Sequence, residues 1–168
     1  KAKEAKEIAE KTAILFRSFK FPVVYRDMPY GAMELDNEYA YYEGEIRNTL
    51  GKNYEAKNYN HYIYEELKHY TRAKFATIRG EEFMVGAMAR LNISHEKLNQ
   101  ETINLAKTLN IKFPLTNPFN NIIAQALENY FFVTESETLI NCFIKEGVDN
   151  KELVKLPKSF GVGTAACE

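Results

Sequence analysis

The chain has 168 residues, with 22 basic and 23 acidic side chains and a formal net charge of −1. Hydrophobic residues make up 45% and charged residues 27%, values ordinary for a globular protein able to build a core. Interspersed charge near neutrality excludes an electrostatic footprint for nucleic acid or an anionic membrane. No apolar run approaches the length of a membrane span, and two cysteines, Cys142 and Cys167, are too few for a disulfide framework. The cysteine usage predicts a reducing, cytoplasmic setting.

Ala5, Ile8, Ala9, Thr12, Leu15, Phe16 and Phe19 recur at three- and four-residue steps, which predicts a helix over residues 1–20 with one apolar stripe. Pro22 stops it, because proline lacks the amide donor and clashes with the preceding turn. Residues 23–86 then read as strand- and hairpin-rich with one short helix. Strands are predicted from about Gly31 to Leu35, from about Glu45 to Thr49 and around Tyr54, with Leu50-Gly51-Lys52-Asn53 as a hairpin.

Eight of the 11 tyrosines lie between residues 39 and 70. Tyrosines with one wet end suit either a surface that meets another protein or a half-buried sheet edge. Stacking on single-stranded nucleic acid needs surrounding positive charge, and this stretch is slightly acidic.

Asn60 is read as the cap of a short helix from His61 to about His69. On it His61, Glu65 and His69 would share one face and could offer a divalent metal two imidazoles and a carboxylate. The competing reading is a plain solvated face, with Glu65, Glu66 and Lys68.

Ala73 to Arg79 and Glu82 to Val85 read as a hairpin around Gly80-Glu81, and Gly86 frees the backbone for a bend. Arg90 follows. It either holds an anion or closes a structural salt bridge, and an isolated arginine favours the bridge. Residues 87–147 are mainly helical. Ser94 is read as the cap of a helix to Leu109, with Leu98, Thr102, Leu105, Ala106 and Leu109 inward. After Asn117-Pro118 a long helix to about Glu146 buries Ile122, Ile123, Ala126, Leu127, Tyr130, Phe131, Leu139, Cys142 and Phe143, and Gly147 caps it. A loop and a Gly/Ala strand are expected over residues 148–168. The composite is an α+β fold, predominantly helical, with small antiparallel hairpins.

Several segments in this order resemble the nickel–iron hydrogenase large (alpha) subunit, in its cytosolic multi-subunit branch linked to nicotinamide, deazaflavin or heterodisulfide partners. Glu38-Tyr39-Ala40-Tyr41-Tyr42-Glu43-Gly44 resembles an E-Y-x-x-Y-E-G stretch, and Tyr70-Thr71-Arg72-Ala73-Lys74 a Y-S-x-A-K approach. Met84-Val85-Gly86-Ala87-Met88-Ala89-Arg90-Leu91-Asn92 resembles M-V-G-x-x-A-R-x-N. Asn117-Pro118-Phe119-Asn120-Asn121 followed by Ala124-Gln125-Ala126-Leu127-Glu128 resembles N-P-x-x-N…A-Q-A-x-E, and Gly161 to Glu168 resembles G-x-G-x-x-x-x-E.

The resemblance implies a large-subunit-like fold and a parent enzyme that interconverts H2 with protons and electrons. Those electrons would leave through the iron–sulfur clusters of a small subunit and on to further electron-transfer subunits. It implies that Gly161 and Gly163 bring the backbone to the active-site loop, and that Glu168 orients groups there or joins a proton path, the competing reading being that it only anchors the loop. The family holds its nickel–iron centre with two C-x-x-C motifs, and neither is present, so no metal residue transfers. With no initiator Met at its start and a Gly/Ala run at its end, the chain is expected to be a middle segment of that subunit. Such a segment would be inactive alone and would bind no metal. The alternative is a non-catalytic scaffold or interaction domain from a hydrogenase-derived subunit that has lost its metals.

Overall fold

The computed structural model describes residues 1–26 and 28–147. Gly161, Gly163, Cys167 and Glu168 lie outside the described residues. The first helix, α1, runs Ala2–Ser18, and the long helix, α4, runs Asn121–Glu146, 26 residues and so roughly 39 Å. The two lie antiparallel. Lys6 near the start of α1 bonds Glu137 late in α4, while Phe21 beyond the end of α1 stacks on Phe119 just before α4 begins.

The stripe expected on α1 is rotated. Ala9 and Ala13, at 2% and 1% exposure, face the core, with Phe16 partly buried beside them, whereas Ile8, Leu15 and Phe19 are exposed. Two alanines one turn apart let the helix axes approach closely, a fit that longer side chains at this seam would prevent.

Two small antiparallel sheets follow. The first has β1 (Gly31–Glu34), β2 (Glu45–Asn48) and β3 (Asn53–Tyr54) in that order. Its β2–β3 turn is held by Asn48, whose Oδ1 accepts from the amides of Leu50 and Lys52, with Gly51 at φ +77°. The second sheet has β4 (Ile63–Leu67), β5 (Lys74–Ile78) and β6 (Glu81–Glu82). Pairing of Ile78 with Glu81 places the turn at Arg79-Gly80, both at positive φ, one residue before the position expected. A parallel bridge between Tyr30 and Met84 links the two regions.

The helix expected from His61 to His69 is not formed. Residues Ala56–His61 make a 3-10 turn, and Ile63–Leu67 is a strand paired along its length with Lys74–Ile78. Ile63 and Tyr64 favour extended backbone, and a partner strand satisfies their amides, so tertiary pairing overrides the short helical pattern.

Two further helices complete the frame: α2 (Ala87–Ser94) and α3 (Gln100–Thr108). The cap of α3 is Asn99, whose side chain accepts from the Thr102 amide, rather than Ser94. Ser94 instead ends α2, with its hydroxyl buried and without a hydrogen-bond partner among the described residues. The inward set on α3 is as expected for Thr102, Leu105 and Ala106, and Leu98, just before the helix, is buried as well. On α4, Ile123, Ala126, Leu127, Tyr130 and Phe131 are buried and Ile122 is half-buried, but Leu139, Cys142 and Phe143 are exposed among the described residues. Ala87, Met88, Ala89 and Leu91 of α2 sit at 0% exposure, in one core with α1, α3 and α4. No helix among the described residues is long and apolar enough to cross a membrane.

Candidate functional site

Residue Glu128 sits on the buried face of α4, between Leu127 and Tyr130, where an unpaired carboxylate would be costly. It is fully engaged. Arg90 of α2 forks onto it, with Nε donating to Oε1 at 2.6 Å and Nη2 to Oε2 at 2.7 Å. The Tyr39 hydroxyl donates to Oε1 at 2.6 Å. Arg90 and Glu128 are 6% and 5% exposed, and Tyr39 is 7% exposed. This is a two-pronged, charge-assisted pair with a third donor, removed from water.

Aromatic rings close round it. The Arg90 guanidinium lies 5.2 Å from the centroid of Tyr41, and Tyr39 packs on Phe131 at 5.0 Å. Burial first, then the charge and hydrogen bond of Glu128, push the Tyr39 phenol far above its ordinary value. The arginine stays charged and the phenol stays protonated, so at neutral pH the cluster clamps elements together and releases no proton.

Gly86, at φ +87°, is the cap residue of α2, and its carbonyl accepts from the Arg90 amide. The start of α2 is tied to α4 where the Met88 amide donates to Asn121 Oδ1 at 3.3 Å. Asn92, two residues past Arg90, pairs with the backbone of Leu115 in both directions, at 2.8 and 2.7 Å. Asn117 donates to the Pro22 carbonyl and accepts from the Phe119 amide. Gly44 ends the Tyr39 loop at φ +135°, and a Cβ there would lie 2.5 Å from the Glu34 carbonyl oxygen. Three segments far apart in the chain thus converge on one knot: 38–44, 84–92 and 117–128.

A cavity of about 510 Å3 opens beside the cluster, with Tyr39 shared by both. Tyr41, Tyr42, Phe131 and Phe132 supply its rings, and Glu38, Glu135, Asn37, Asn99 and Lys97 its polar lining. Lys97 is already occupied, by Glu34 at 3.2 Å and by the Leu35 carbonyl. Burial raises the Glu34 carboxyl, but hydrogen bonds from Arg47 and Lys97 outweigh it and hold Glu34 below the usual carboxylate range.

Of the residues singled out in the sequence, Arg90 closes the structural salt bridge. His61, Glu65 and His69 are not brought together. His61 ends the 3-10 turn, Glu65 pairs with Lys74 in the sheet, and His69 lies beyond β4. The described residues do not fit a nickel–iron centre, because no group of three or more His, Cys, Asp or Glu among them could hold a metal. Sequence reasoning missed Tyr39 and Glu128 as site residues. Their signal is a charge at 128 on the apolar face of a helix that also carries Ala124, Leu127 and Phe131.

No family model matches the chain. It is 29% identical over 127 residues to the protein named sulfhydrogenase 1 subunit alpha of Pyrococcus furiosus, a match covering 75% of this chain. The matched stretch spans 30% of that relative's length. The likeness supports a hydrogenase-family link and, through it, a link to oxidoreductases.

Proposed function

We propose that this chain is part of the large (alpha) subunit of a nickel–iron hydrogenase of the cytosolic multi-subunit branch. The observation that carries the reading is the convergence of Tyr39, Arg90 and Glu128, one from each of three family-like segments, on a single buried hydrogen-bonded cluster. The likeness to a sulfhydrogenase alpha subunit supports it as well. In this proposal the region is the packing frame of the subunit. The nickel–iron centre would supply the hydrogen chemistry from ligands elsewhere in the parent, and a small subunit with iron–sulfur clusters would carry electrons away, in the cytoplasm. Gly161 and Gly163 would bring the backbone to the active-site loop, and Glu168 would be its acidic residue.

A second reading is favoured by one observation: the family-like side chains of Asn92, Asn117 and Asn121 each hydrogen-bond backbone groups of this fold. A metal-free scaffold subunit would need no more than that. Purification of the full-length parent protein under anaerobic conditions separates the two. Stoichiometric nickel and iron with hydrogen-driven reduction of a viologen dye is the outcome expected. A folded parent without nickel and without that activity overturns the enzyme reading and leaves the scaffold.

A further inference from the structure

We propose that the cavity beside the cluster is a binding site for an organic cation, an ammonium or guanidinium group. Its volume of about 510 Å3 falls in the range of small-ligand sites. Its chemistry has one sign. The Lys97 ammonium is neutralised within the fold by Glu34 and the Leu35 carbonyl. The lining carboxylates are less committed: Glu135 takes one bond from Asn99 on Oε1, and Glu38 has no side-chain partner among the described residues. The Asn37 amide and the hydroxyls of Tyr41 and Tyr42 also have no partner among them. Asn99, by contrast, is fully engaged with Thr102, Thr134 and Glu135.

Aromatic faces complete the selection. Tyr41 and Phe132 meet edge-on at 4.6 Å, and exposed Tyr42 lines the cavity beside them. Rings of this kind attract cations through their quadrupole, and Tyr41 already holds the Arg90 guanidinium on the interior side. Open acceptors, two carboxylates and electron-rich rings, with the only lining ammonium among the described residues already paired, select a cation over an anion or a neutral polyol. The inference rests on this lining alone and stands or falls independently of the hydrogenase reading. The cation would come either from a free amine or from a lysine or arginine side chain.

The test is calorimetric titration of the 168-residue chain with butylamine, butanol, butane-1,4-diamine, N-acetyl-lysine amide and N-acetyl-arginine amide. Saturable binding of the cations at roughly millimolar Kd is expected. It should weaken as salt is added, and butanol should not bind. Glu38→Gln should weaken binding about fivefold and Tyr42→Leu about threefold. Both side chains are exposed, so circular dichroism should show these variants folded. Tighter binding of the capped amino acids identifies a polypeptide side chain as the source, and tighter binding of the diamine a free amine. Absence of saturation by about 50 mM, equal binding of butanol and butylamine, or unchanged affinity in folded variants overturns the proposal.

Discussion

Replacing Glu128 by Ala should be the most damaging single change in the cluster. The pair it breaks is almost dry, with side-chain exposures of 8% for Arg90 and 7% for Glu128, and has its two hydrogen bonds at 2.6 and 2.7 Å. Truncation takes from a buried guanidinium the carboxylate it is forked onto and strands the Tyr39 hydroxyl. Removing one partner of such a pair costs about 3–5 kcal/mol. A domain of this size has about 5–15 kcal/mol in total, so the variant should lose at least about a fifth of its stability. With a urea slope of about 2 kcal/mol per molar, the midpoint should fall by about 1.5–2.5 M in unfolding followed by far-ultraviolet circular dichroism. Tyr39→Phe, which removes one donor and keeps the ring on Phe131, should cost only about 1–2 kcal/mol. The double change Arg90→Met with Glu128→Leu should recover most of the loss, because neither charge then remains to be desolvated. A Glu128→Ala variant within about 1 kcal/mol of the parent would refute the claim that this cluster holds the fold together. So would a double variant whose loss equals the sum of the two singles.

Four smaller tests probe the surroundings. Gly44→Ala should cost about 2–3 kcal/mol by thermal unfolding, from positive-φ strain and the 2.5 Å approach to the Glu34 carbonyl. Gly51→Ala, also at positive φ but with open space around it, should cost only about 1–2 kcal/mol. Asn92→Leu removes both partners of the Leu115 backbone and should cost about 2–4 kcal/mol in the same assay. Glu34, held below its ordinary value of 4.5, contributes stability that is whole above that value and lost as pH falls through its lower folded value. Stability measured from neutral pH downward should therefore fall below about pH 4.5 in the parent, and Glu34→Gln should lower the neutral value and flatten that fall.

Much of the frame was legible in the sequence because local chemistry decides it. The turn at Gly51 between β2 and β3 and the periodicity from Ile123 to Phe131 on α4 are as expected, while α1 stops at Ser18, with Phe19 already extended, short of Pro22. Where the expectation failed, the winning interaction was non-local. His61 to His69 carries a helical spacing, yet a partner strand at Lys74–Ile78 supplies hydrogen bonds that a marginal one- or two-turn helix cannot match. Ser94 was expected to cap α3, but it is buried at the end of α2, and Asn99, five residues on, has the side chain placed to accept from the Thr102 amide.

The family-like motifs stand along the chain as separate strings, and nothing in their spacing says what each is for. Their purpose is geometric and spans long separations: Tyr39 lies 89 residues from Glu128, and Arg90 lies 38 residues from it. Periodicity marks a helix's apolar side but not which residue waits opposite, so the sequence by itself determined most of the elements and the buried face of the first half of α4, while the stripe of α1 came out rotated. Only the tertiary structure decided that one buried carboxylate, one arginine and one tyrosine would meet, and that a ring-lined cavity would open beside them. The physical reason is that charge pairing in a dry core depends on angstrom-scale distances between elements, which no local spacing encodes.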